Sequence, residues 1–140
     1  MRHSVAYLLG TDEAGYGPNL GPLIITGTLW RVPDTSLGCD LYDLLSEAVD
    51  RPARGVAPGG KLAIADSKLL YRSKGPLGPL EQNVLAALAS FGQRPARWGD
   101  LCRLLAPDCV PCVEQVPWHA GFDPALPLDE TSSEIDRLSR

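Results

Sequence analysis

The segment 5–30 constrains the fold more than any other part of this chain, because two apolar stretches in it flank a polar turn rich in glycine and proline. The apolar stretches, residues 5–9 and 23–30, are short and rich in β-branched and aromatic residues, which is typical of strands. The glycines and prolines between them exclude a helix and require unusual backbone angles. The segment therefore predicts two strands joined by a tight, polar connection.

Two adjacent acids, Asp12 and Glu13, open this turn at the end of the first strand. Successive strand residues point to opposite faces, so Asp12 would point across the sheet edge while the following bend redirects Glu13. Converging carboxylates repel each other unless a cation lies between them, and such hard oxygen ligands suit Mg or Mn. The alternative is that both acids are solvated turn residues, which are common beside glycine.

Residues 12–22, with the sequence DEAGYGPNLGP, resemble the opening motif of the type 2 ribonucleases H. In that family a strand leads into Asp-Glu-Ala-Gly, a Gly-Arg-Gly element follows, and a second Gly-Pro precedes the next strand. A second family element, Asp-Ser-Lys followed by leucine, is present here as Asp66, Ser67 and Lys68. Two motifs in the order of the family are a more specific signal than either motif alone.

The resemblance implies an α/β domain of the ribonuclease H-like class, with a mixed sheet and flanking helices. It also implies metal-dependent cleavage of the RNA strand in RNA–DNA hybrids or in ribonucleotide-containing DNA. Asp12 and Glu13 would be catalytic acids and ligands of a two-metal centre of Mg or Mn, with the ions about 4 Å apart. The following turn would contact the nucleic-acid backbone through Gly15, Tyr16 and Gly17.

Ser67 and Lys68 are further substrate contacts that the resemblance implies, with Lys68 on a backbone phosphate. From the residues alone, Asp66 or Ser67 caps the helix that follows. Capping and phosphate binding are compatible, because free amides and the positive dipole end lie at a helix N-terminus. Asp66 is assigned to capping or orientation and not to metal binding.

The chain departs from the family in two respects. Tyr16 replaces the family arginine, which removes a bidentate donor and supplies a ring for stacking. The third and fourth acids of the family have no convincing match after Asp66, and the final segment only begins a helix, with Thr131 or Ser132 as its cap. Residues 1–140 are therefore expected to be the N-terminal portion of a single ribonuclease H-like domain, and a non-catalytic nucleic-acid-binding relative is the alternative.

Length, composition and net charge limit what this chain can fold into and bind. At 140 residues and 44% hydrophobic, the chain can bury one core. A net charge of -4 gives no global attraction to nucleic acid, so positive charge would have to be local or come from a divalent metal. The chain has no apolar run suited to secretion or to a membrane span, so a cytoplasmic protein without a membrane partner is expected.

Four cysteines are too few for a disulfide framework and are expected to be reduced. Cys109 and Cys112 have the spacing of a zinc knuckle, and Cys102 and His119 would complete four ligands. Of the two ligand pairs, only Cys109 and Cys112 have the close spacing that is usual for zinc, and residues 113–118 instead predict a strand. Structural zinc in a small interaction module is therefore the weaker interpretation. A redox pair is favoured even less, because the motif does not follow a recognisable strand-to-helix turn.

Apolar spacing predicts helices over residues 39–49 and 77–91, with Gly92 ending the second helix. Residues 61–65 predict a short apolar segment that ends at Asp66. Residues 55–61 match a P-loop only up to the lysine, because leucine follows where Ser or Thr is needed.

A basic and aromatic cluster is formed in the sequence by Arg94, Arg97 and Trp98. Such a mixture can bind single strands by charge and stacking. An ordinary surface loop is the favoured interpretation, because arginine stems often cover apolar surface.

Overall fold

The computed structural model describes residues 4–14, 23–52, 60–71 and 77–128. The chain divides into two compact units, Met1–Leu44 and Leu45–Arg140. The described residues form a mixed α/β structure with two separate two-stranded sheets and several helices. The α/β class is thus confirmed, whereas a single domain with one ribonuclease H-like sheet stays a prediction.

The first unit contains an antiparallel pair of strands, β1 (Val5–Ala14) and β2 (Ile24–Pro33). The register is continuous, without a bulge, from Val5 opposite Pro33 to Ala14 opposite Ile24. Both strands are longer than the apolar stretches predict, because backbone pairing continues through polar residues that prefer no particular structure on their own. Asp12 and Glu13 are therefore strand residues, and the expectation that they open the turn is wrong.

The two faces of this hairpin differ in composition and exposure. One face exposes large apolar side chains, each at least 48% accessible: Val5, Tyr7, Leu9, Ile25 and Leu29. The opposite face contains Leu8 and Trp30, which are half-buried, and Val32, which is buried. Alternation along each strand separates these sets, as the period of two requires.

The predicted helix over 39–49 is wrong beyond its first turn. The helix α1 spans only Leu41–Leu44 and begins after Asp40, whose carboxylate accepts a hydrogen bond from the Tyr42 amide at 2.9 Å. Val49–Asp50 instead forms strand β3, which pairs in parallel with β4, Leu62–Ala63. Burial of Val49 in this pairing overrides the helical spacing of the apolar residues.

Four α-helices follow β4 in the described part of the second unit. They are α2 (Ser67–Leu70), α3 (Gly78–Ser90), α4 (Trp98–Leu105) and α5 (Val110–Glu114). None of the described helices combines the length and the apolar character that a membrane span requires.

The core of the second unit lies where α2 and α3 meet β4. Ala63 and Leu70 are buried there, with Ala65 and Leu80 packed against them. The Asn83 side chain fastens α3 to the strand, because its Oδ1 accepts a hydrogen bond from the Ala63 amide at 2.6 Å. Its Nδ2 donates to the Pro79 carbonyl within the helix, also at 2.6 Å.

The prediction of a helix over 77–91 is confirmed by α3. The helix ends at Ser90, and just past its end Gly92 adopts a φ of +75°, which a residue with a Cβ adopts only at a cost. The Gly92 amide donates to the Ala89 carbonyl and the Gln93 amide to the Leu88 carbonyl, both at 2.9 Å. These bonds satisfy carbonyls that the helix end would otherwise leave unpaired.

The predicted strand over 113–118 is wrong. Residues 110–114 form α5, and Pro117–His119 forms a single 3-10 turn. Pro111 and Pro117 explain the difference, because each fixes φ near the helical value and has no amide to donate to a sheet. Residues 119–127 are predicted to be a loop. After the 3-10 turn, residues 120–127 form no helix or strand, and Ala125 makes an isolated bridge to Arg97.

Candidate functional site

The acids of the first motif lie on neighbouring positions of β1. Asp12 is paired with Thr26 and Glu13 with Ile25. Because the register is continuous, the two carboxylates leave the strand on opposite faces. Both acids are exposed.

The face that contains Asp12 also contains Thr26 and Thr28. The Asp12 Oδ1 accepts a hydrogen bond from the Glu13 amide at 2.9 Å, and the Thr26 hydroxyl donates to the Asp12 carbonyl at 3.4 Å. Gly10 lies opposite Thr28, and a Cβ added at Gly10 would approach the Thr28 hydroxyl to 3.1 Å. Thr26 thus lies directly opposite Asp12, and Thr28 lies one pair further along the same face. The exposed side chain of Ile24, opposite Ala14, lies on this face at the hairpin end.

The predicted convergence of Asp12 and Glu13 does not occur, because β1 runs straight through both residues and no bend redirects Glu13. The residues that the structure describes contain no cluster of three His, Cys, Asp or Glu side chains able to hold a metal ion. Asp12 supplies one hard oxygen ligand of the kind that Mg and Mn prefer. The described residues do not complete that site, and Gly15, Tyr16 and Gly17 lie outside them.

The second motif begins α2, and its predicted capping role is confirmed. The Asp66 Oδ1 accepts a hydrogen bond from the Lys68 amide at 2.8 Å, which makes Asp66 the N-cap. Leu70, at the end of the same turn, is buried in the core. Ser67 and Lys68 are exposed, so both side chains are accessible to a ligand.

A cavity of about 260 Å³ lies in the second unit between α4, α5 and the loop that follows them. Its aromatic wall is formed by Trp98 and His119, whose rings are parallel with centroids 6.5 Å apart, and by Phe122. The Phe122 ring meets both of the others edge-on, at centroid distances of 6.2 and 6.3 Å. Cys102 and Glu114 also line the cavity.

The start of α4 is fixed to this wall by Asp123. Its Oδ2 accepts a hydrogen bond from Arg97 Nε at 2.7 Å, and its Oδ1 accepts one from the Gly99 amide at 2.8 Å. Arg97 also donates to the Asp123 backbone carbonyl. Arg97 is thus held by a carboxylate, and Trp98 packs against other rings. The expectation of a surface loop is wrong for Trp98, which begins α4, whereas Arg94 precedes that helix in a segment without regular structure.

Two titratable groups in the cavity wall are shielded from solvent. The Nδ1 atom of His119 is buried and has no hydrogen-bond partner among the described residues. Partial burial raises the pKa of the Cys102 thiol, with smaller and opposed effects from Arg103 and Asp123. A raised pKa keeps this thiol protonated and weakly nucleophilic.

The remaining motifs have other roles or lie outside the described residues. All four cysteines have free thiols. Lys61, the last residue of the P-loop-like segment, donates from Nζ to the Ser46 carbonyl at 2.5 Å. Thr131 and Ser132, the expected caps of a final helix, lie outside the residues that the structure describes.

Phe122 and Asp123 are the site residues that the sequence did not identify. They belong to a stretch without periodicity. Asp123 binds Arg97 and Gly99, and Phe122 contacts Trp98, all more than 20 residues earlier in the chain, whereas His119, the other ring against Phe122, is only three residues earlier. No local signal marks such contacts.

Comparisons with protein-family models, with curated proteins and with solved structures found no match for this chain.

Proposed function

We propose that this chain provides the hairpin and substrate-contact segment of a metal-dependent, ribonuclease H-like endoribonuclease. The substrate would be an RNA–DNA hybrid or DNA that contains ribonucleotides. The main support is the local structure of each motif within its own unit. Asp12 lies exposed near the turn end of a hairpin, and Asp66, Ser67 and Lys68 form the capped start of a helix.

The roles follow from the chemistry of these residues. Asp12 presents an exposed carboxylate, which suits it to bind a hard cation or to accept a proton. Lys68 presents an exposed ammonium group two residues after the N-cap Asp66, which suits it to contact a backbone phosphate. Mg or Mn is the proposed cofactor, and Asp12 is the one ligand that we assign to it on this face.

A second candidate is a non-catalytic protein that binds the same nucleic acids. It is favoured by the opposite orientation of Asp12 and Glu13, because two divergent carboxylates cannot jointly chelate an ion. Binding through Ser67 and Lys68 does not require that chelation. The two candidates therefore predict different results for cleavage of the hybrid and the same result for binding to it.

A Mn-dependent assay on a labelled RNA–DNA hybrid tests both, with cleavage and binding measured on the same preparations. The Asp12→Asn variant is compared with the unaltered chain and with Asp43→Asn, a matched change at an exposed acid of α1. The endonuclease predicts cutting by the unaltered chain and by Asp43→Asn, with loss of cutting but retention of binding in Asp12→Asn.

The other outcomes are equally informative. Hybrid binding without cutting by the folded, unaltered chain supports the non-catalytic candidate. Cutting that survives in Asp12→Asn contradicts the role of Asp12. A folded chain that neither binds nor cuts the hybrid, and shows no preference for it over duplex DNA, contradicts both candidates.

A further inference from the structure

The motif Cys109-Val-Pro-Cys112 lies at the start of a helix. Cys109 ends the 3-10 turn Pro107–Cys109 and directly precedes α5, and Cys112 lies in the first turn of that helix. Both side chains are exposed, and both thiols are free. The sequence does not indicate this placement, because no strand precedes the motif.

The backbone places the two cysteines on the same side of one helical turn. Cys109 has φ and ψ of -90° and -15°, and Val110 has -52° and -47°, so both are in the right-handed helical region. Residues three apart on a helix have Cβ atoms roughly 5–6 Å apart. A disulfide needs Cβ atoms roughly 3.5–4.5 Å apart, so closure requires the two Cβ atoms to approach by about 0.5–2.5 Å.

The local backbone tolerates such a shift. Pro111, between the two cysteines, has no amide hydrogen, so movement there loses no hydrogen bond that this residue could donate. The short helix α5 has no buried residue that a change in its first turn would displace. Cys109 and Cys112 can therefore approach each other without unpacking the core.

The other two cysteines lack this combination of access and proximity. Cys102 is partly buried, and burial raises the pKa of its thiol. Cys39 is exposed, and the sequence of its unit contains no second cysteine. Thiol exchange requires an accessible thiol and a partner within reach, and Cys109 and Cys112 meet both conditions.

We propose that Cys109 and Cys112 are a thiol–disulfide exchange site that forms a reversible intramolecular disulfide with low-molecular-mass disulfides. The thiolate of one cysteine attacks a sulfur of the small disulfide, which breaks that S–S bond, forms a mixed disulfide and releases one small thiolate. The second cysteine then attacks the protein sulfur of the mixed disulfide and releases the other small thiolate. Two protons pass from the cysteines through solvent to the released thiolates, and two electrons pass to the small disulfide.

Oxidation at this site would also act on the neighbouring cavity. Val110 and Val113 line the cavity together with Trp98 and His119. Val110 lies inside the ring that the disulfide closes, and Val113 lies directly after it. The disulfide therefore fixes the turn that forms one wall of the cavity.

The experiment uses the full chain, incubated with oxidised glutathione, alkylated and digested with trypsin. Arginine residues at 103 and 137 bound one peptide, residues 104–137, which contains Cys109 and Cys112 and no other cysteine. Mass spectrometry is expected to show this peptide without alkylation and with two hydrogens lost, and dithiothreitol is expected to restore double alkylation. The Cys39→Ser variant is the matched control and should behave in the same way.

A second variant tests the order of the exchange. Cys112→Ser should retain one glutathione on Cys109, because no second thiol is present to displace it. The proposal is overturned if the native peptide remains doubly alkylated or acquires two glutathiones. It is also overturned if the internal disulfide forms only after the chain is denatured.

Discussion

The guanidinium of Arg97 and the carboxylate of Asp123 are joined by a 2.7 Å hydrogen bond across 26 residues of sequence. This hydrogen bond, together with that from the Gly99 amide, lowers the pKa of the Asp123 carboxyl. The pair joins the start of α4 to the loop that contributes Phe122 to the cavity. One ion pair thus aligns two walls of the same site.

Asp123→Asn should make stability less dependent on pH in the acid range. The folded pKa of Asp123 lies below its unfolded value of about 3.9, so its stabilisation is present above that value and is lost as pH falls through the folded pKa. We expect the variant to have a lower melting temperature at neutral pH and a smaller further decrease on acidification. Melting temperatures measured from pH 7 to pH 2 test this expectation, with Asp108→Asn as the control. If the melting temperatures of Asp123→Asn and of the unaltered chain changed in parallel with pH, the stabilising role of the Asp123 carboxylate would be contradicted.

Asn83→Ala should destabilise the second unit by about 1–3 kcal/mol, because the buried amide of Ala63 would lose its acceptor. Amide hydrogen exchange at Ala63, with urea unfolding, measures the effect. Asn83→Asp retains the acceptor for Ala63 and should cost less, and Gln82→Ala on the same helix is the matched control. Equal effects of Asn83→Ala and Gln82→Ala would show that the strand contact is unimportant.

Asp66→Ala should cost about 1 kcal/mol through loss of the helix cap, whereas Asp66→Asn keeps an acceptor for the Lys68 amide and should be nearly neutral. Unfolding free energies of the two variants provide the comparison. If Asp66 only caps α2, Asp66→Asn also preserves hybrid binding and any cleavage. Loss of cleavage in a stable Asp66→Asn variant would instead identify Asp66 as part of the reacting site.

Lys68→Ala should weaken binding to an RNA–DNA hybrid in a salt-dependent way, because one phosphate contact is lost. The slope of log affinity against log salt concentration should decrease by about 0.7–0.9. Lys68→Arg retains the charge and should preserve the slope, which separates a phosphate contact from a structural role. An unchanged slope in Lys68→Ala would exclude Lys68 from the interface.

The elements that the sequence predicted correctly are determined by interactions between residues that are close together in the chain. The helix α3 has an apolar period and a terminal glycine with positive φ, and α2 has an aspartate whose side chain can reach an amide two residues on. The polar, glycine-rich segment between the two strands likewise indicated a hairpin. These features depend on residues within one or two turns of each other, so sequence alone contains the information.

Sequence by itself therefore determined the α/β class, the hairpin, the capped start of α2 and the position of α3. Only the tertiary structure decided that Val49 pairs with Leu62 instead of extending a helix, and that Asp12 and Glu13 point to opposite faces. It also decided that Arg97 meets Asp123 and that His119 stacks on Trp98. The physical reason is that pairing register and burial depend on contacts between distant residues, whose free energy exceeds the small local preferences that a sequence pattern expresses.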